Sequence, residues 1–399
     1  MRINKENIKE FIKWIYILSL ICLFLKTFYF KFFWNIDDSV FLIPSIVLWL
    51  CYSFYGILKI SVHQIYEIIL LAAIIFLQVI SNDGVGIVGQ FSLFVAISCL
   101  IMTPMSFKKE LLDAIIVVYT FICVISLAGW IAVYVLKIGI PYTYITYQEY
   151  TFFDYGIFNV RVEGIDFTRY LGMFLEPGYT GIMAILLMVA NGFDFKKKLN
   201  VLLLICALAT FSLATYILLF VYLIIKMRSL KFFLKSIMGI IGIIILLLII
   251  HLTIYDLSWV FDYFIKRRLN SIFAGNITGN RFSDAFNVFF KEKILGNLYN
   301  MLLGYGSVSY LEQAKLYGFQ SAGYKVYIAE FGCVNTILVF IFYMKEIIRK
   351  FNYESVSLYM LWVISFIDIA YPTWGCFLIY VVCVGASMNY LDKQGETYA

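Results

Sequence analysis

The chain has 399 residues, 63% of them hydrophobic and only 14% charged, with a mean hydropathy of +0.89. A soluble domain carries about 25% charged residues, so this balance excludes a water-dispersed globular enzyme. The formal net charge of +6 reads as a membrane topology signal and does not point to nucleic acid.

Apolar runs recur near 13–32, 40–58, 65–81, 86–103, 111–136, 169–190, 199–211, 213–227, 232–254, 323–344, 355–371 and 374–390. Runs of about 15–25 residues are long enough to cross a hydrocarbon core of about 30 Å. The seventh and eighth are short, and a single long helix is the alternative for them. Positive charge decides between the two. With the N-terminus in the cytoplasm and twelve spans, the basic clusters at 196–198, 226–235 and 345–350 fall inside. The short outer turns at 82–85, 212 and 371–374 hold no Lys or Arg, as the positive-inside bias requires. Merging the two runs would put 226–235 outside. The expected fold class is therefore all-α, a polytopic integral membrane protein with about 12 transmembrane helices and both termini cytoplasmic. It forms one membrane domain over 1–399, its first span an uncleaved anchor. Two long external loops, about 137–169 and 255–323, interrupt it and are expected to contain short amphipathic helices.

The first loop carries Tyr142, Tyr144, Tyr147, Tyr150 and Tyr155, which suit either an interfacial belt or stacking on sugar rings. Arg161, Glu163, Asp166 and Arg169 follow, and Gly172, Glu176, Pro177, Gly178 and Gly181 lead into the sixth span. On this reading Glu176 lies about two turns inside apolar helix, where an ionised carboxylate costs several kcal/mol unless paired or hydrated. Pro177 and Gly178 loosen the helix beside it. Arg169, two turns earlier, shares its face. A structural salt bridge at a kink and a functional carboxylate both fit that pattern.

In the second loop, Lys266, Arg267, Arg268 and Arg281 place four cations within 16 residues, a composition suited to a phosphate. Anionic lipid headgroups are the alternative for 266–268. Arg281 follows Gly279 and Asn280 and opens a predicted helix over 282–295. There Phe282, Phe286, Phe289, Phe290 and Ile294 oppose Asp284, Asn287 and Lys291, the pattern of a helix lying on a membrane surface. Its first turn offers backbone N–H groups to an anion. Leu303-Gly304-Tyr305-Gly306 predicts a tight turn that a ligand can approach closely. Tyr324, Lys325, Tyr327 and Glu330 then enter the tenth span.

All eight cysteines fall in predicted spans, so their spacing gives neither a disulfide framework nor a metal site. No phosphate-cradling glycine loop occurs. His63, in a cytoplasmic turn, and His251, at the outer end of the ninth span, read as local hydrogen-bonding residues. Any chemistry has to run on an already activated substrate, with no cofactor and no metal.

The pattern Arg169-x-x-Gly172-x-Phe174-x-Glu176-Pro177-Gly178 resembles one that recurs in bacterial oligosaccharide repeat-unit polymerases of the Wzy type, which build O-antigen and capsule. So do Gly279-Asn280-Arg281, then Leu303-Gly304-Tyr305-Gly306, then Ala329-Glu330-Phe331-Gly332. The two large outer loops extend the resemblance over nearly the whole chain. Arg161 with Gly172, and Arg268 with Gly279, match an Arg-x10-Gly pattern described in both loops of that family, which is related to the O-antigen ligase superfamily.

The resemblance implies a glycosyltransferase on the outer face of the bacterial cytoplasmic membrane. It implies transfer of a growing glycan from undecaprenyl (polyprenyl) pyrophosphate to an incoming lipid-linked repeat unit, without a nucleotide-sugar donor. Arg281 and Arg169 would neutralise the leaving pyrophosphate, with Arg161, Arg267, Arg268 and Lys325 helping to bind it. Glu176 would take the proton of the acceptor hydroxyl, with Glu163, Asp166 and Glu330 open as alternatives. Tyr305 and Glu330 would contact the glycan. The implied partners are lipid-linked oligosaccharides, membrane lipids, a chain-length regulator and a flippase. An O-antigen ligase is the nearest rival, but members of that family carry a functional histidine in the large outer loop, and here only His251 borders it. A flippase would place its charge within the spans and show matching halves.

Overall fold

In hydrocarbon a helix satisfies its own backbone, and the Leu-, Ile- and Phe-rich runs of this chain fold accordingly. The computed structural model describes residues 5–54, 60–147, 150–162, 169–226, 283–319, 323–348 and 353–366. The predicted spans at 232–254 and 374–390 lie outside the described residues, as do Glu163, Asp166, His251, Lys266, Arg267, Arg268 and Arg281.

Helices α1 (Lys5–Thr27), α2 (Ser39–Phe54), α3 (Val62–Ser81), α4 (Ile87–Met102) and α5 (Met105–Trp130) come first, α5 running on through a π-helical turn at Ile131–Val135. A three-stranded sheet follows, then α6 (Pro177–Ala190), α7 (Lys198–Ala209) and α8 (Leu213–Lys226). The second outer segment supplies α9 (Asp284–Phe289), α10 (Leu298–Leu303) and α11 (Ser307–Tyr317). Helices α12 (Tyr324–Ile348) and α13 (Tyr353–Phe366) complete the described chain. Among the described residues, three helical stretches are long and apolar enough to cross a membrane: Val62–Ser81, Met105–Val135 and Tyr324–Lys345. The other apolar helices, α2, α4, α6, α7, α8 and most of α13, are shorter. The predicted break between the seventh and eighth runs is present, with Phe211 in a left-handed conformation (φ 50°) between α7 and α8.

Helix α6 is the core. Every residue over 182–190 is buried, because the segment is apolar on all sides. It packs against α5, α7, α8 and α13. At Gly181 a Cβ would stand 2.0 Å from Thr215 Oγ1, so only glycine lets α8 come this close.

The first outer loop corrects the all-α expectation. Its tyrosines lie largely on a sheet, β1 (Thr143–Tyr147), β2 (Tyr150–Asp154) and β3 (Asn159–Arg161), antiparallel in the order β1-β2-β3. Alternating Thr, Tyr, Ile and Phe favour the pleated strand over the amphipathic helix expected there. Ile145 pairs with Phe152, and Phe152 with Arg161. The inner face, carrying Ile145, Tyr147, Tyr150 and Phe152, packs on Trp34 and Leu175.

The described part of the second long polar segment is helical as expected, but its apolar stripe is buried in the protein and not laid on a membrane surface. Ser283 Oγ accepts the Phe286 N–H and caps α9, which continues as a π-helical turn at Phe290–Leu295. Phe286, Phe289, Phe290 and Ile294 are buried against Tyr310, Phe319, Val326 and Ala329. The stripe found partners within the protein, where burial in close packing adds dispersion contacts.

Candidate functional site

The turn after α1, the inner face of the sheet and the start of α6 come together around one tyrosine, which also feels the charge of Glu330 beside a break in α12. Tyr29 has left-handed backbone (φ 55°), and its carbonyl accepts the Trp34 indole N–H at 2.6 Å. Its ring lies between Tyr147 (6.4 Å between centroids) and Tyr179 (5.8 Å). Burial, followed by Tyr147, Asp38, Glu330 and Glu176, pushes its hydroxyl up to about 12. Both glutamates are therefore within electrostatic reach of this phenol. It keeps its proton at neutral pH and is a hydrogen-bond donor, not a base.

Glu176 reaches the site in a way the sequence does not suggest. It is the N-cap residue of α6, extended (φ −142°, ψ 150°) and partly exposed, with Pro177 at the first helical position. Pro177 starts the helix instead of kinking it, and the positive end of the helix faces the Glu176 carboxylate. The preceding segment, 169–176, is a buried loop. Lys31 N–H bonds Met173 O (2.9 Å), Asn159 N–H bonds Gly172 O (3.0 Å), and Thr180 Oγ1 bonds Leu171 O (2.6 Å). Gly172 is left-handed there (φ 68°). Arg169 and Glu176 accordingly do not share a helical face two turns apart. The residues over 170–175 are apolar and buried, so composition alone could not distinguish a packed loop from a span.

Arg161 does come to the site's wall. Its guanidinium sits 3.4 Å over the Tyr150 ring, a cation–π arrangement, on the sheet face that carries Phe152 against Leu175. A buried ion pair between Lys31 and Asp154 fastens β2 to the α1–α2 turn. Lys26 bonds the Phe33 carbonyl (2.8 Å) and lies 3.8 Å from Asp38. Sequence reasoning missed Tyr29, Asp38 and Asp154. The aromatic and basic turn over 26–34 was the signal that could have found them.

Glu330 is buried, at 1% exposure, and its Oε2 accepts from Ser307 Oγ at 3.4 Å. Helix α12 breaks just after it, at Gly332 (φ 77°, ψ 170°). The turn at 304–306 fills the break. Tyr305 N–H donates to Ala329 O (2.7 Å) and Gly306 N–H to Glu330 O (3.0 Å). A Cβ on Gly304 would fall 2.3 Å from Glu330 O, and one on Gly332 would fall 2.2 Å from Leu302 O. The sequence suggested a turn that a ligand could approach; the close approach is made by the chain's own broken helix. Burial and then Glu330 raise the Tyr310 hydroxyl above its ordinary value.

Two predicted contacts lie elsewhere. Tyr305 packs edge-on to Phe289 at 5.8 Å. Lys325 reaches Asn287 Oδ1 at 3.4 Å and the face of Phe290 at 5.7 Å, on the α9 side. At the other end of α3, His63 is a local partner as expected, 3.3 Å from the buried Glu67. Among the described residues no group of three His, Cys, Asp or Glu is arranged to hold a metal ion.

Comparison of this chain with protein-family models, with curated proteins and with solved structures returned no match.

Proposed function

We propose that this protein is a glycosyltransferase of the bacterial cytoplasmic membrane that polymerises oligosaccharide repeat units carried on polyprenyl pyrophosphate. On this reading the chain crosses the membrane about 12 times with both termini cytoplasmic, and the site faces outward. The observation that supports the reading is that the charges of Glu176 and Glu330, from distant parts of the sequence, both act on the buried Tyr29 phenol. A sheet wall bearing Arg161 and stacked aromatic rings adjoins the start of α6.

The proposed step is a displacement at the anomeric carbon of the donor glycan. The acceptor hydroxyl oxygen forms the new C–O bond. The bond to the pyrophosphate oxygen breaks, and the polyprenyl pyrophosphate leaves with the electron pair. The acceptor's proton passes to Glu176 or Glu330. Tyr29, protonated throughout, donates a hydrogen bond to the carboxylate or to a sugar oxygen. Arg161 and Arg169, together with Arg267, Arg268 and Arg281, would stabilise the charge developing on the pyrophosphate. The aromatic faces of the sheet suit stacking on sugar rings. A chain-length regulator, a flippase and membrane lipids are the partners this role requires.

The test is deletion of the gene in its host, with surface glycan resolved on a gel. Complementation with wild type should restore a ladder of repeat units. Glu176→Gln or Glu330→Gln should leave single units at normal protein levels, and so should Arg281→Ala. Full-length lipid-linked polymer accumulating outside the membrane would replace this reading with ligation. Single lipid-linked units stranded inside would replace it with transport.

A further inference from the structure

We propose that Asn82 is a positioning residue that holds the Glu330 carboxylate in place from the end of α3. The inference rests on the reading that Glu330 belongs to the reaction site. Asn82 is the C-cap of α3, and its side chain is buried. Its Nδ2 donates to Gln78 O at 2.9 Å, and its Oδ1 accepts the Ser307 N–H at 2.6 Å. Ser307 is the first residue of α11, and the residue at the N-cap is Gly306. Gly306 has no side chain to cap with, and nothing larger fits, because a Cβ there would stand 2.2 Å from Ser81 O. Asn82 supplies from another helix an acceptor for one of the unpaired backbone N–H groups in the first turn of α11.

The consequence passes directly to Glu330. Gly306 N–H holds the Glu330 carbonyl, and Ser307 Oγ reaches the Glu330 carboxylate. The break at Gly332 disrupts the helical pairing of the Ala329 and Glu330 carbonyls, and the 304–306 turn replaces it. One turn earlier on α3, Gln78 Nε2 donates to Tyr327 Oη (3.1 Å), and Tyr327 Oη donates to Asn335 Oδ1 (2.6 Å). Asn335 Nδ2 returns to Ile74 O at 2.7 Å. The end of α3 thus grips α12 on both sides of its break, while Asn82 fixes the turn that fills it. Glycines 304, 306 and 332 allow the close approach; Asn82 sets the register.

Loss of the Asn82 acceptor should free the turn and let the carboxylate move, and a displacement of about 1 Å can lower a rate up to about 100-fold. Two readouts test this, on full-length protein in native membranes and in detergent. The first is the surface glycan ladder. The second is labelling of Glu330 by dicyclohexylcarbodiimide, followed by mass spectrometry, which does not depend on the enzymatic reading. Asn82→Ala should shorten the ladder at normal protein levels and raise Glu330 labelling severalfold. Asn82→Asp keeps the acceptor oxygen for Ser307 but loses the donor to Gln78 O, so it should restore both in part. Should Asn82→Ala fail to accumulate, Asn82→Ser takes its place, since its hydroxyl is one atom too short to reach Ser307. Unchanged Glu330 labelling in a folded Asn82 variant overturns the inference, whatever the ladder does. Increased labelling with a normal ladder in both Asn82→Ala and Glu330→Gln upholds the positioning role and rejects the polymerase reading.

Discussion

The two long polar segments each set a carboxylate whose charge acts on the same tyrosine, by opposite means. The first is a sheet that ends in a buried loop, and it delivers Glu176 at the start of an unbroken helix. The second is a set of short helices, and it delivers Glu330 by entering a break in a helix. The first is held by long side chains, through the Lys31–Asp154 pair, the Trp34–Tyr147 stack (4.7 Å, 17°) and Arg161 over Tyr150. The second is held by the lack of side chains at Gly304, Gly306 and Gly332, together with backbone hydrogen bonds. A stacked aromatic wall tolerates small shifts. Three interlocked glycines do not, because any Cβ there meets backbone, which cannot rotate away.

The comparison predicts that the second segment is the more brittle. Gly332→Ala should have the largest effect, combining a left-handed backbone with a Cβ 2.2 Å from Leu302 O. The expected cost is at least about 3 kcal/mol, read as a lowered midpoint of thermal unfolding in detergent. A Gly332→Ala protein as stable as wild type would show that the break is not held as described.

Lys31→Met should come next. Removing one partner of a buried ion pair costs about 3–5 kcal/mol. Asp154 is partly exposed and also accepts the Gly156 N–H at 2.8 Å, so about 2 kcal/mol is expected here. Trp34 fluorescence should change with it, since Trp34 stacks on the sheet that Lys31 fastens. Asp154→Asn should behave similarly, and the double substitution should cost less than the sum of the two.

The smallest effect is Tyr29→Phe at neutral pH, about 1 kcal/mol or less, the ordinary size of a single conservative substitution. Its signature is at high pH. The folded state holds the Tyr29 proton up to about 12, above the ordinary 10.0. That stabilisation is complete below pH 10 and is lost as pH rises through about 12. Wild type should therefore lose more stability between pH 9 and pH 11 than Tyr29→Phe does. Equal losses would show that the phenol is not buried as described.

The sequence by itself determined that the chain is mostly helical, the separation of α7 from α8, the apolar stripe over 286–294 though not its burial within the protein, and the tight turn at 304–306. Each is local: apolar runs, a 3.6-residue period and glycine spacing act between near neighbours. It also marked Glu176 and Glu330 as carboxylates beside apolar helix. Other features were decided only by tertiary structure. Residues 170–175 are as apolar as a span, and bonds from Lys31, Asn159 and Thr180 hold them as a loop. The tyrosine-rich segment becomes a sheet because Trp34 and Leu175 give its inner face something to cover. Asn82 meets Ser307, and Glu176 and Glu330 both act on Tyr29, across long stretches of intervening chain. Such contacts are selected by packing and backbone satisfaction in the folded whole, and local periodicity carries no information about them.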